Sequence, residues 1–364
     1  MTPLAGRGPG AILALNCGSS SVKHALFDGE TAVTRATVAV PGGGSEAGHD
    51  AAVEVILGAL DRGGIRLSGV GHRVVSGGPS RSEPALVDER LLADLRAAIP
   101  FAPLHLPAEI AAMEAVRSRH PDLPQVACFD TYFHRTLPER TARYPIPTEL
   151  FERGVRRYGF HGLSYEHVVA SLGPRLGERA IIAHLGSGAS LAAVFRGASV
   201  DTTMGFTPTG GLVMSTRTGD LDPGLLIHLL AHEGYDAASL DDLVNHRGGL
   251  LALSGTTGDM RALLAAEASD PRAALAVDVF CRQVQKGIGA MAAVLGGVDH
   301  LVFTGGIGAH ATEIRARILA RLGFLGIPAS CAVTALVTDE EQVVARHTAA
   351  LLAAGPVRDL RDPG

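Results

Sequence analysis

Four short apolar runs in this chain each stop abruptly at a polar or glycine-rich turn. Residues 11–15 precede Asn16, 125–129 precede Asp130, 180–183 precede His184-Leu185-Gly186-Ser187-Gly188, and 300–303 precede Thr304-Gly305-Gly306-Ile307-Gly308. Apolar runs of this length bounded by turn residues are the pattern of buried strands. In open α/β sheets the ligand crevice lies at the carboxyl ends of strands, so the four turns are expected to share one cleft. The third run also repeats the plan of the first: residues 181–195, like 12–27, read as strand, Gly/Ser turn and returning apolar strand. That likeness covers one hairpin per half and hints at a duplicated architecture.

Helical patterns alternate with these strands. Residues 272–295 contain no proline and place Val277, Phe280, Cys281, Val284, Ile288, Met291 and Leu295 on one stripe, as core packing or a dimer contact requires. Asp222-Pro223 reads as an N-cap with proline in the first turn, starting a helix through Leu230. Thr338 and Glu341 have capping-box spacing and open a final helix to about Ala354. Residues 41–45, Pro-Gly-Gly-Gly-Ser, read as a surface loop.

The first turn, Asn16-Cys17-Gly18-Ser19-Ser20-Ser21-Val22-Lys23, carries the strongest chemical signal. Glycine lets the backbone approach an anion, the hydroxyls add donors and Lys23 adds a cation, a combination that suits polyphosphate. It matches neither the dinucleotide nor the Walker fingerprint, and a serine-rich hairpin turn is the alternative reading.

Composition limits the partners. The 364 residues are 46% hydrophobic, enough for a sizeable core in roughly two or three domains. A formal charge of −5 without any basic run argues against nucleic acid, so an anionic substrate has to be held by a few placed cations. Almost all of these are arginines, since Lys23 and Lys286 are the only lysines. Cys17, Cys128, Cys281 and Cys331 show neither zinc nor disulfide spacing. With no signal-peptide pattern and no run of membrane-spanning length, a soluble, cytoplasmic protein is expected.

Other candidates are scattered along the chain. Arg73 in Gly71-His72-Arg73-Val74-Val75-Ser76-Gly77-Gly78 and Arg217 in Ser215-Thr216-Arg217-Thr218-Gly219-Asp220 both read as lying in glycine-rich loops, where a guanidinium fork suits a carboxylate or phosphoryl group. A surface arginine in a salt contact is the plainer account of either. His105 and His161 are placed to donate to developing phosphoryl charge, or are structural histidines. Asp130 at a strand end and Glu340 at a helix start are oxygen donors of the kind magnesium prefers beside phosphates. Strand termination and a favourable helix-dipole charge are the alternatives. With Glu341 engaged in its capping box, Glu340 is expected to be the freer carboxylate.

Taken together, these segments resemble the acetate and propionate kinase family of the acetate and sugar kinase, heat-shock ATPase and actin superfamily. The likeness runs from Asn16 to Arg346 and includes Phe101-Ala102-Pro103-Leu104-His105, Phe129-Asp130-Thr131, residues 158–162, 201–211 and 215–222, and Asp259-Met260-Arg261. It implies an α/β protein of two duplicated ribonuclease-H-like (actin-like ATPase) domains with an interdomain active-site cleft. The implied N-terminal domain is 1–133 plus 342–364, and the central nucleotide-binding and dimerisation domain is 134–341. It further implies direct phosphoryl transfer from ATP to acetate, giving acetyl phosphate and ADP, with magnesium (or manganese), in a homodimer. Propionate or butyrate kinase is the alternative within the class, and a non-catalytic actin-like nucleotide-binding protein the alternative outside it.

The resemblance also distributes roles. Asn16 and Glu340 resemble the metal-site residues, Arg73 and Arg217 the pair that binds carboxylate and neutralises the transferring group, His161 its hydrogen-bond donor, Asp130 the orienting acid and His105 a supporting histidine. Val75, Leu104, Phe160 and Pro208 match the apolar acyl pocket. Ser19, Ser21, Lys23, His184, Gly186, Ser187, Gly188, Asp259, Met260, Arg261, Gly306, Ile307 and Gly308 match the nucleotide and phosphate contacts. Two departures fall on those contacts: Ser187 stands where the family usually has Asn, and Ala309-His310 where it has Glu-Asn. The preference for ATP over other phosphoryl donors is therefore left open.

Overall fold

The computed structural model describes residues 10–18, 21–41, 45–103 and 105–354. Ser19, Leu104 and the glycines of the 41–45 loop lie outside them. The chain divides into two compact units, Met1–Tyr132 with Asp339–Gly364, and Phe133–Thr338.

The first unit is built on the strands β1 (Ala11–Cys17), β2 (Ser21–Asp28), β3 (Thr31–Ala39), β4 (Leu67–Val74), β5 (Ala85–Leu86) and β6 (Gln125–Phe129), in the order β3-β2-β1-β4-β6-β5. The first three form an antiparallel meander with Asn16 opposite Lys23, while β4 and β6 join parallel to β1. Strands buried on both faces read as continuous apolar runs, which is why β1 and β6 alternate so little. One face packs Leu13, Leu15, Val22 and Leu26 against Val53, Ile56 and Leu57 of the helix Glu46–Arg62.

The other face takes the last helix, Glu340–Ala354. Bare backbone in β4 lets it lie close. A Cβ on Gly71 would stand 2.3 Å from Thr348 Oγ1 and 2.6 Å from Val344 Cγ1, and one on Gly69 would stand 2.6 Å from Leu352 Cδ1. This close seating brings the start of the helix to the carboxyl end of β1.

The second unit carries β7 (Arg179–Leu185), β8 (Ala189–Phe195), β9 (Ala198–Thr202), β10 (His300–Thr304) and β11 (Ala332–Ala335), in the order β11-β10-β7-β8-β9. Read from β9, this is the first sheet again: an antiparallel meander extended beyond its first strand by two successive parallel strands. The duplication hinted at by one hairpin thus extends to a whole five-stranded plan. Tyr165, Val168 and Leu172 of the helix Gly162–Leu172 pack on Ala180, Ile182, Val194 and Val302. The helix Pro271–Leu295 packs against β8 through its apolar stripe, all of it buried except Leu295 at the end.

Four local readings are corrected. Asn16 is not in a turn: β1 continues through it to Cys17, and β2 begins at Ser21. Arg73 is not in a loop but is the penultimate residue of β4, because parallel pairing with β1 and β6 continues past Gly71. The stretch Gly306-Ile307-Gly308 is not an open turn; it belongs to a short helix, Gly305–His310. The last helix is capped by Asp339, whose Oδ1 accepts from the Gln342 amide at 3.0 Å, and not by a Thr338–Glu341 box. Thr338 instead meets Ser164 and Thr304 through its hydroxyl. No helix among the described residues is long and apolar enough to cross a membrane.

Candidate active site

Each unit gathers its own set of polar side chains at the carboxyl ends of its parallel strands. In the first, β1, β4 and β6 end side by side and deliver Asn16, Arg73 and Asp130, while the final helix delivers Glu340 and Glu341. Arg73 Nη2 donates to Asp130 Oδ2 at 2.6 Å, its Nη1 reaches Asn16 Oδ1 at 3.4 Å, and its Nε lies 4.0 Å from Glu340 Oε2. Asn16 Nδ2 donates to both Glu340 Oε2 and Glu341 Oε1, at 3.4 and 3.3 Å. Glu341 is therefore held at the cluster beside Glu340, contrary to the expectation that a capping box would remove it.

The electrostatics follow from burial around one cation. Burial works against the Arg73 charge, but Asp130, Glu340 and Glu109 outweigh it and hold the guanidinium charged. Burial raises Glu340 to about 7, with Arg73 opposing and Asp130 and Glu341 reinforcing the rise. Asp130 is 1% exposed, and among the described residues neither its Oδ1 nor Arg73 Nε has a hydrogen-bond partner. Unpaired buried polar atoms are costly, and at the mouth of parallel strands they mark places a ligand completes.

Glu109 is a residue that sequence reasoning missed. It lies on the helix Leu106–Arg119, fully buried, and both carboxylate oxygens accept from the Val75 amide at 3.2 and 3.1 Å. Burial lifts it to about 8. Its sole sequence signal was a charged residue in the first turn after Pro107. His105 is the N-cap of that helix, and Val75 is buried just beyond β4. Lys23 and Ser21 lie on β2, Lys23 being exposed.

In the second unit, β7 and β10 end side by side. Gly305, at φ +75°, starts its short helix against the end of β7: a Cβ there would sit 2.6 Å from Leu185 O. The Gly186-Ser187-Gly188 turn is tied to the arginine loop, since Ser187 O accepts from the Ser215 amide at 3.1 Å. Arg217 donates from Nη1 to Pro208 O at 3.1 Å. Gly188 faces two side chains at once, because a Cβ on it would lie 3.1 Å from His161 Nε2 and 3.5 Å from Arg217 Nη1.

His161 caps the helix Gly162–Leu172 in the left-handed region, at φ 60° and ψ 25°, a conformation that costs a non-glycine residue about 1 kcal/mol or more. Its ring stacks on His184 with centroids 4.1 Å apart at 18°, and its Nδ1 meets Ser190 Oγ at 2.7 Å. His184 Nδ1 meets Ser164 Oγ at 2.8 Å. Phe160, buried, gives its carbonyl to His134 Nε2. Asp259 and Arg261 pair with each other at an exposed helix start, where Arg261 holds the Asp259 carboxyl down to about 2, and Met260 between them is buried.

The structure groups Asn16, Arg73, Asp130 and Glu340 in one set and His161, His184, Gly188 and Arg217 in the other. Of the expected acyl pocket, Val75 belongs to the first unit and Phe160 and Pro208 to the second.

Comparison with known proteins identifies relatives. The model of the acetokinase family matches residues 40–354. An acetate kinase of Rhodopseudomonas palustris is 40% identical, the alignment covering 92% of this chain and 97% of that protein. The crystal structure of Porphyromonas gingivalis acetate kinase superposes with a TM-score of 0.84 at 35% identity, over 94% of this chain and 100% of that one. A propionate kinase from Francisella tularensis superposes as well, with a TM-score of 0.84 at 33% identity, over 93% and 98%.

Proposed function

This chain belongs to the acetokinase family, and on that premise we propose that it transfers the γ-phosphoryl group of ATP reversibly to acetate, giving acetyl phosphate and ADP. The observation that carries this reading is Arg73: a guanidinium kept charged in a largely buried position by Asp130 and Glu340, with its Nε lacking a hydrogen-bond partner among the described residues. A fixed cation is what a small carboxylate substrate needs in a chain of net negative charge.

A carboxylate is already a nucleophile at neutral pH, so the reaction requires no general base. Catalysis reduces to in-line alignment and neutralisation of charge on the transferring group. Arg73 holds the acceptor carboxylate, and Asp130 fixes the guanidinium by accepting from Nη2. Arg217 and His161, which together flank the Gly188 turn, stabilise charge on the phosphoryl oxygens. Lys23, Ser21 and the Gly186–Gly188 turn take the phosphate chain.

The first-unit cluster also fits a divalent cation. Its donors are hard oxygens, and Asp130 Oδ1 is buried with no hydrogen-bond partner among the described residues. Magnesium bound through one or two carboxylates and substrate phosphates has that character. Glu340 and Asn16 are the residues assigned to hold it. Bound there, the ion supplies charge neutralisation on the phosphates.

The proposed enzyme acts as a homodimer through its second unit. What supports this is the helix Pro223–His232, whose apolar sequence has no buried residue, with Ile227 66% exposed and Leu225 and Leu230 also outward.

The test is acyl phosphate trapping with hydroxylamine, crossing acetate, propionate and butyrate with ATP, GTP and pyrophosphate. Acetate with ATP is expected to have the highest kcat/KM. A propionate preference, the activity named for the Francisella relative, would replace acetate, since one methylene changes binding by only about 1–3 kcal/mol. No acyl phosphate with any acid would leave a nucleotide-binding protein without this activity.

A further inference from the structure

We infer that Tyr165 and Ser190 form a buried hydroxyl relay that fixes the proton of His161 on Nε2, which makes both of them positioning residues for phosphoryl transfer. The inference deepens the function proposed above and rests on it for the role of His161. Tyr165 lies one turn after His161 on the helix Gly162–Leu172, and Ser190 lies on β8; both are completely buried. Ser190 Oγ stands 2.5 Å from Tyr165 Oη and 2.7 Å from His161 Nδ1.

A serine hydroxyl has one proton, so Ser190 donates to one of these neighbours and accepts from the other. The phenol is far more acidic than the aliphatic alcohol and is the better donor. Tyr165 therefore donates to Ser190, and the Ser190 proton is directed at His161 Nδ1. With Nδ1 accepting, the single ring proton of a neutral imidazole sits on Nε2.

Two features orient the ring. Arg217 Nη1 and His161 Nε2 face the same side of the Gly188 turn. Stacking on His184 fixes the ring plane. The outcome is an Nε2–H donor beside a guanidinium, both facing the bare backbone of Gly188. Such a pair suits a phosphoryl oxygen. In the other tautomer, Nε2 would present a lone pair to that oxygen and repel it. Nothing in the sequence marked Ser190, a small residue within an apolar strand.

The test uses full-length protein with 15N-labelled histidine. Nuclear magnetic resonance reads the protonation of each His161 nitrogen, assigned by loss of signal in His161→Gln, alongside steady-state kinetics. In the wild type, Nε2 is expected to be protonated and Nδ1 not. Tyr165→Phe and Ser190→Ala should introduce the Nδ1–H form and lower kcat about tenfold or more, with KM for ATP and acetate changed by no more than about twofold. Ser190→Thr, which keeps the hydroxyl, should restore both readings towards wild type.

A wild-type His161 protonated at Nδ1 overturns the inference. So does a changed tautomer at unchanged kcat, or a slowed Tyr165→Phe enzyme that keeps the Nε2–H form. Should the wild-type protein make no acyl phosphate, the functional reading fails while the resonance measurement still decides the relay.

Discussion

Glu109 offers the most quantitative test of the electrostatics around Arg73. Its carboxyl is 1% exposed and, among the described residues, accepts from the Val75 amide alone. Burial therefore raises it from 4.5 to about 8, with Arg73 and the Val75 amide opposing and Asp130 adding to the rise. Between these two values the folded protein retains a proton that the unfolded chain has released. Stability due to this group is fully present below the unfolded value and declines as pH rises to the folded one. The slope is about 1.4 kcal/mol per pH unit, so the loss between about pH 5 and pH 8 is on the order of 4 kcal/mol. Glu109→Gln keeps the shape and a hydrogen-bond acceptor for Val75 but has nothing to ionise.

The chain has no tryptophan, so urea unfolding is best followed by far-ultraviolet circular dichroism at several pH values. Relative to wild type, the glutamine variant should gain stability steadily across that window and level off above about pH 8. A stability difference that stays constant with pH would refute the reasoning, because Glu109 would then be titrating as it does in the unfolded chain.

Other consequences are simpler. Arg73→Ala and Arg217→Ala should each lower kcat/KM by roughly 10²-fold or more while circular dichroism stays that of the wild type, and near-normal turnover in either removes that residue from the assigned machinery. Asp339→Ala loses the cap on Gln342 and the exposed Arg35 pair, and should cost about 1 kcal/mol in urea unfolding, whereas Thr338→Ala should leave the cap intact. Ile227→Asp, on the unburied helix, should convert the proposed dimer to monomer by sedimentation without unfolding the chain; an unchanged sedimentation coefficient would remove that helix from the proposed interface. Gly159→Ala, at φ +74° with a Cβ 2.5 Å from His134, should lower Tm by several degrees.

Much of the site was legible because its residues lie at discontinuities in a one-dimensional pattern. Asn16, Asp130, His184 and Gly306 mark where apolar runs break, and such breaks coincide with the carboxyl ends of strands. Legibility failed where two local rules compete. Glycines around Arg73 suggested a loop, but in β4 they serve close packing of the final helix, and the strand continues through the arginine. Thr338 and Asp339 are both good caps one residue apart, and contacts of Thr338 with Ser164 and Thr304 leave the capping to Asp339. Glu109 carried no signal beyond a charge in the first turn of its helix and Ser190 none, since their importance lies in what they touch.

Hydrophobic period, chain breaks and the spacing of charged residues are local properties, and from them the sequence by itself determined the apolar strands that end near Asn16, Asp130, His184 and Thr304, the helices that begin near Pro223, Arg272 and Glu340, and the identity of the polar residues at those strand ends. Partnership across the chain is another matter. Asn16 meets Glu340 across 324 positions because two glycines in β4 let the last helix settle onto the sheet. The charge state of Glu109 and the proton position on His161 depend likewise on burial and on neighbours brought from other elements. Those are set by packing in three dimensions, where the energy of a buried charge or hydroxyl is decided by the few atoms around it.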